Sequence, residues 1–272
     1  MKSLELAMQC HAVGDALGYP FEFKNPTRGQ VRASLSKITP IYYTDDTQLM
    51  LATVVGLAKQ PQTVEQEYVD WFSYQGLAYP QDFYPHVNQT LGQFDEYRAV
   101  RAPGVNTLQA LGERLSQRWS GNDSNGNGTV MRMLPFAFLP RGRDPSIIVQ
   151  AQRCAQFTHG GTEIDQATQA FLVYAWTREV SLPESYIKRG GRTALDCLSW
   201  AIKAVETSDT FEDCLVRCIA HEGDSDTLAA VAGGLWAIHR GRPPQLDQYL
   251  DRLQGQDALA FATQAWERTY GP

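Results

Sequence analysis

Helical spacing runs through almost the whole chain. Apolar residues recur at three- and four-residue intervals, and alternating runs of useful length, the mark of half-buried strands, are almost absent. Thr47 to Lys59 (TQLMLATVVGLAK) is apolar on nearly every side, so it can only be a core helix. Thr63–Tyr74 sets Val64, Tyr68, Trp71 and Phe72 at helical spacing behind an N-cap at Thr63. Thr107–Trp119 carries the stripe Leu108, Leu111 and Leu115. The same pattern predicts helices over Met1–Gly18, Pro145–Thr158, Thr162–Arg178, Pro183–Val205, Phe211–Ala220, Thr227–His239, Leu246–Leu253 and Asp257–Arg268. Turn chemistry falls between them at Lys24–Gly29, Gly121–Gly128, Pro140–Pro145, Gly160–Gly161 and Gly241–Pro244. None of these is long enough for a flexible linker, and no solenoid-type repeat is apparent. The expected fold is all-α: a compact single domain over residues 1–272, built from about ten or more helices.

A net charge of −6 argues against broad binding of nucleic acid, which needs a basic face to release phosphate counterions. It also makes a poor membrane-surface protein, and no apolar run reaches the roughly 20 residues a span requires. Glu5, His11 and Asp15 interrupt Met1–Gly18, which reads as an amphipathic helix and not as a signal peptide. Cys10, Cys154, Cys197, Cys214 and Cys218 form no regular framework and complete no zinc site, so reduced, buried thiols in a cytoplasm are expected. A monomer is expected too.

The chemistry gathers in two acidic clusters. Tyr43-Thr44-Asp45-Asp46-Thr47 and Glu222-Gly223-Asp224-Ser225-Asp226-Thr227 each stand immediately before a strongly apolar helix. Capping accounts for either cluster alone, because Asp and Thr accept hydrogen bonds from free amides at a helix start. A cap needs one side chain, however, and each cluster offers two carboxylates and at least one hydroxyl. The helix dipole favours the ionised forms by about 0.3–1 kcal/mol each. Four carboxylates brought together repel unless cations neutralise them. Oxygen donors of this kind suit Mg²⁺ or Mn²⁺ better than zinc, and two ions balance the charge better than one.

Two further segments carry readable chemistry. In Ser124-Asn125-Gly126-Asn127-Gly128-Thr129-Val130-Met131-Arg132 the glycines let backbone amides approach an anion, and the helix start that follows adds positive dipole. The segment lacks the Gly-Lys-Ser/Thr of a Walker loop. Trp119 lies just upstream, either as a flat face for a base or as a core tryptophan. Glu22 follows Gly14-Asp15-Ala16-Leu17-Gly18-Tyr19-Pro20, where Gly18 and Pro20 end a helix, so Glu22 stands on an extended segment free to reach a site.

Taken in order, these motifs resemble the ADP-ribosylglycohydrolase family. The resemblance rests on Gly14-Asp15-Ala16-Leu17-Gly18 with Glu22, Thr44-Asp45-Asp46-Thr47, Pro103-Gly104, Gly126-Asn127-Gly128 with Met131-Arg132, Thr158-His159, and Gly223-Asp224-Ser225-Asp226-Thr227 before a small-residue helix. It runs from residue 14 to about residue 240, which is most of the chain.

The resemblance implies that family's compact orthogonal helical bundle and a pair of Mg²⁺ or Mn²⁺ ions held by Thr44, Asp45, Asp46, Asp224, Asp226 and Thr227. It implies that Gly104 and the loop Ser124, Asn125, Gly126, Asn127, Gly128 and Thr129 approach ADP-ribose, with His159 on the same ligand and Trp119 against the adenine. Asn125 sits at a variable position of that loop. The implied reaction is hydrolysis at the anomeric carbon of ADP-ribose, through an oxocarbenium-like state, with Asp46 or Glu22 as the base. An ADP-ribosylated arginine on a protein is the leading acceptor. Serine-linked or O-acetyl-ADP-ribose, and non-catalytic ADP-ribose binding, are the alternatives.

Overall fold

A computed structural model describes residues 3–59, 63–75, 89–140, 142–179, 182 and 190–271. The described residues form thirteen α-helices joined by loops and short 3-10 turns, with no strand beyond the isolated bridges Ile41–Leu253 and Gly126–Thr193. The helices are α1 (Leu4–Gly18), α2 (Arg28–Leu35), α3 (Asp45–Lys59), α4 (Val64–Tyr74), α5 (Asp95–Arg98), α6 (Val105–Leu115) and α7 (Pro145–Gln156), followed by α8 (Ile164–Thr177), α9 (Ala194–Thr207), α10 (Phe211–Ile219), α11 (Ser225–Arg240), α12 (Leu246–Leu250) and α13 (Gln256–Tyr270). The all-α expectation holds, and the helices pack as a compact orthogonal bundle.

The centre is a close pair from opposite ends of the sequence. α1 lies along α11, and glycines set how near they come. A Cβ on Gly14 would stand 2.1 Å from the Ala229 carbonyl oxygen, and one on Gly18 would stand 2.5 Å from the Asp226 Cα. The Gly-x-x-x-Gly spacing of Gly14 and Gly18 puts both on one helix face, so the backbones meet without side chains between them. α3 packs beside this pair and is buried along its whole length except Lys59, as an apolar helix opened by polar residues must be. Each fully buried Leu or Val on it contributes about 1.5–3 kcal/mol. All five cysteines are buried and free.

Several boundaries differ from the sequence pattern. The helix expected over Pro183–Val205 is α9, which starts only at Ala194 behind a Thr193 cap, after Gly190 and Gly191 turn the chain at positive φ. Residues 183–189 of that expectation lie outside the described residues. The turn at Lys24–Gly29 is partly helix, because Thr27 and Gln30 make a capping box that starts α2 at Arg28. The helix predicted to Trp119 stops at Leu115. No helix among the described residues is long and apolar enough to cross a membrane.

Candidate functional site

The close approach of α1 to α11 and α3 puts a carboxylate where three elements meet. Asp15 is fully buried on α1 and accepts five hydrogen bonds from the start of α3. The Thr44 amide donates to both of its oxygens at 3.0 Å and the Thr44 hydroxyl at 2.9 Å, while Thr47 donates through its amide at 3.0 Å and its hydroxyl at 2.6 Å. A side chain from another helix thus occupies the place an N-cap would fill.

Around it the two acidic clusters converge, although about 180 residues separate them. Oxygens of Asp15, Asp46 and Asp226 lie within 4.8 Å of one another, and so do oxygens of Glu22, Asp224 and Asp226. Asp226 belongs to both groups. Among the described residues these are the two clusters whose donor atoms can hold a metal ion. Asp46 Oδ1 is buried with no hydrogen-bond partner, an orphan acceptor in an acidic setting. Its other oxygen faces the Thr44 hydroxyl at 3.2 Å. Asp226 accepts from the Thr227 amide at 2.9 Å, and Asp224 accepts from the Asn127 side chain at 3.1 Å. Asp45 turns aside, accepting from the Gly104 amide at 3.1 Å.

Burial first, and neighbouring carboxylates second, hold Asp46 and Asp226 well above the usual carboxylate range. Burial raises Asp45 in the same direction, against the pull of the Gly104 amide. Asp15 is pushed up to about 6 by burial, with the donors from Thr47 and Thr44 pulling the other way. Glu22, half-buried on the loop after α1, is pushed up to about 7 by burial, then by Asp224 and Asp15. An all-oxygen donor set under such mutual repulsion is the kind that binds a hard divalent cation.

These carboxylates line one end of a cavity of about 460 Å³. Glu22, Asp45, Asp46, Asp224, Asp226 and Thr227 border it together with Gly104, Gly126, Asn127, Gly128 and His159. Gly126 and Gly128 carry no side chain because the His159 ring is there: a Cβ on either would come within 3.2 Å of it. His159 is buried and pinned by a 2.8 Å bond between its Nδ1 and the Thr158 hydroxyl, which itself accepts from Arg132 at 2.5 Å. Burial, with Arg132 adding to it, pushes His159 down to about 3, so the ring is neutral. Asn127 ties the loop to the rest, donating to the Gly191 carbonyl at 2.8 Å as well as to Asp224.

Other expected residues fall away from the cavity lining. Thr44 is turned into Asp15 and Asp46. Ser124 accepts from the Gly126 amide, Asn125 accepts from the Glu163 amide, and Thr129 is fully buried with an unpartnered hydroxyl. Trp119 is half-buried, with the Arg114 guanidinium 4.7 Å above its ring. The structure also brings in residues that carry no role in the sequence pattern: Asp15 in the cluster, and Phe23 and Arg192 in the lining. A readable signal exists for Asp15, a carboxylate amid an apolar helix. Arg192 has none.

Comparison with known proteins bears on the family and the fold. The family model for ADP-ribosylglycohydrolase matches residues 6–184 and 164–272. The ADP-ribosyl-[dinitrogen reductase] glycohydrolase of Rhodospirillum rubrum is 24% identical, over 82% of this chain and 81% of that protein. A solved structure titled ADP-ribosylglycohydrolase-related protein complex superimposes with a TM-score of 0.67 at 18% identity, covering 99% of this chain and all of the other, which is a likeness of fold.

Proposed function

Because the chain belongs to the ADP-ribosylglycohydrolase family, hydrolases that act on ADP-ribose linkages, we propose that it frees ADP-ribose from an arginine side chain of a modified protein. The observation that carries this reading is the pair of carboxylate groups sharing Asp226 in the lining of a cavity that the Gly126–Gly128 loop also borders. The orphaned Asp46 Oδ1 and the all-oxygen donor set fit Mg²⁺ or Mn²⁺. In this reading Asp46, Asp224 and Asp226 hold two such ions, with Thr44, Asp45 and Thr227 completing the set. When bound, the ions supply Lewis-acid polarisation of substrate oxygens and lower the pKa of a water.

The chain's own groups do the rest. Gly126, Gly128 and Gly104 let the substrate approach the backbone, and His159 meets it as a neutral ring. Glu22 stands at the edge of the cluster and takes the proton from the water that attacks the anomeric carbon. The bond from that carbon to the guanidino nitrogen breaks through an oxocarbenium-like state, and the proton then passes to the departing guanidino group. Asp46 is the alternative base. Trp119 is not needed by this reading. Residues 1–272 act as one domain. An acceptor without a guanidinium, serine-linked or O-acetyl, is the second reading. Arg192 favours it, since a cation in the lining repels a guanidinium.

The deciding experiment incubates the protein and Mg²⁺ or Mn²⁺ with arginine-, serine- and acetyl-linked ADP-ribose and measures free ADP-ribose. Arginine-linked substrate is expected to turn over fastest. Glu22→Gln is expected to lower kcat by about 10²-fold or more, with substrate binding kept. Hydrolysis of none of the three refutes the catalytic reading.

A further inference from the structure

We propose that Phe23 is the platform on which the acceptor side chain rests, and that Arg192 occupies that platform when no acceptor is bound. The inference rests on the hydrolase reading above and extends it to the far side of the scissile bond.

Phe23 is an anomaly that packing does not explain. Its side chain is 56% exposed, the most exposed aromatic ring among the large apolar residues described, yet its backbone sits at φ 57, a conformation a bulky residue rarely adopts. The amide of Phe23 donates to the Gly223 carbonyl at 2.9 Å, which anchors the segment against the residue that precedes Asp224. That posture keeps Phe23 in the cavity lining next to Glu22, the residue to which the hydrolase reading gives the attacking water.

Arg192 is the one lysine or arginine among the described lining residues, which include five carboxylates. Its main chain is fixed on the opposite wall, where its carbonyl accepts from the Asn127 amide at 3.2 Å. Its guanidinium crosses to stand 5.5 Å from the centre of the Phe23 ring. A flat cation over an aromatic face, in an acidic cavity, is the arrangement an arginine acceptor would adopt there. The chain therefore holds its own guanidinium where the substrate's would go, and an acceptor must displace it. This resolves the objection that Arg192 repels such an acceptor, because a displaced arginine swings into solvent.

Calorimetry with N-acetylarginine amide and N-acetyllysine amide tests the platform, using protein loaded with ADP-ribose and Mg²⁺. Arg192→Gln is expected to tighten the arginine probe about three- to fivefold and the lysine probe much less, because exposed cation–π contacts have that strength and favour the planar guanidinium. Phe23→Leu, which keeps apolar bulk but removes the ring, is expected to weaken the arginine probe by a similar factor, with Phe23→Tyr restoring it. KM for arginine-linked substrate should follow the same order. Equal tightening of both probes by Arg192→Gln means only the field changed, and overturns the platform. Weaker binding of free ADP-ribose by Arg192→Gln puts the guanidinium on the phosphates and overturns it as well. A wild type that binds the arginine probe but releases no ADP-ribose from any linkage keeps the platform and refutes the hydrolase reading alone.

Discussion

Two central helices start with nearly the same residues, Thr44-Asp45-Asp46-Thr47 at the start of α3 and Asp224-Ser225-Asp226-Thr227 at the start of α11, and the fold finishes them differently. The start of α3 is closed by a carboxylate from elsewhere, Asp15, whose oxygens accept from both threonines. The start of α11 has no such lid. Its N-cap residue Asp224 makes no side-chain capping bond, Asp226 accepts from the adjacent Thr227 amide, and Ser225 donates back to the Gly18 carbonyl at 3.2 Å. One acidic start is therefore held in place by α1. The other keeps its carboxylates on the cavity side, where they are held by repulsion and by Asn127. The difference separates two jobs that look identical in sequence: a carboxylate that builds the site, and carboxylates left over for a ligand.

Asp15→Ala should break the contrast most. It strands two buried amides and two hydroxyls at the start of α3, and unsatisfied buried donors cost about 1–3 kcal/mol each, so a loss of about 3 kcal/mol or more is expected in denaturant unfolding with chelator present. A loss below 1 kcal/mol would mean that α3 finds another cap.

Cation binding is the next largest effect. Mg²⁺ or Mn²⁺ at one hundred times its Kd should stabilise the wild type by about 2.7 kcal/mol. Asp46→Asn and Asp226→Asn should lose most of that gain while leaving the chelated protein unharmed or slightly firmer, since each removes a repelling charge from a buried cluster. A melting temperature indifferent to both ions would refute the metal site.

How much of this was legible is itself uneven. α3, α4, α11 and α13 were plain, because long apolar periodicity fixes both the helix and its burial. α2 was not, since only Val31 and Leu35 are buried in eight residues and a capping box starts it. The helix that ends near Val205 is shorter than its apolar periodicity predicts, because the chain turns at Gly190-Gly191 with φ 81 and 72. For the site, the carboxylates at the two helix starts were readable as donors, because acids before an apolar helix must sit at the edge of the interior. The role of Asp15 is not legible, because its partners lie 29 to 32 residues away. Phe23 and Arg192 face each other across some 170 residues, a relation that only the fold creates.

The pH dependence offers a smaller but cleaner test. Asp15, pushed up to about 6, and Glu22, pushed up to about 7, hold protons in the folded state that the unfolded chain has already released. Such groups add stability that is whole below the unfolded values near 4 and is lost as pH rises through the folded ones. His11 and His159, pushed down to about 3 mainly by burial, oppose this only below about 6.5, where the unfolded imidazoles gain protons. Between pH 6.5 and 8 the raised carboxylates set the sign, and the chelated protein should lose stability as pH rises. Saturating Mg²⁺ should flatten that slope, because the cluster is then neutralised by the ion.

The smallest effect sharpens the comparison furthest. Asp224→Asn in the chelated protein should change stability by no more than about 0.5 kcal/mol, the range of substitutions that break no named structural feature. Asp224 makes no capping bond, and an asparagine oxygen can still accept from Asn127. The same variant should lose much of its stabilisation by Mg²⁺, because one carboxylate of the Glu22–Asp224–Asp226 group is gone. Near-silence without the ion and a clear deficit with it is the signature of a carboxylate kept for a ligand. If Asp224→Asn instead unfolds the chelated protein as readily as Asp15→Ala does, the two helix starts are equivalent after all. The acidic residues of α11 would then be architecture, and the division drawn between the clusters would fail.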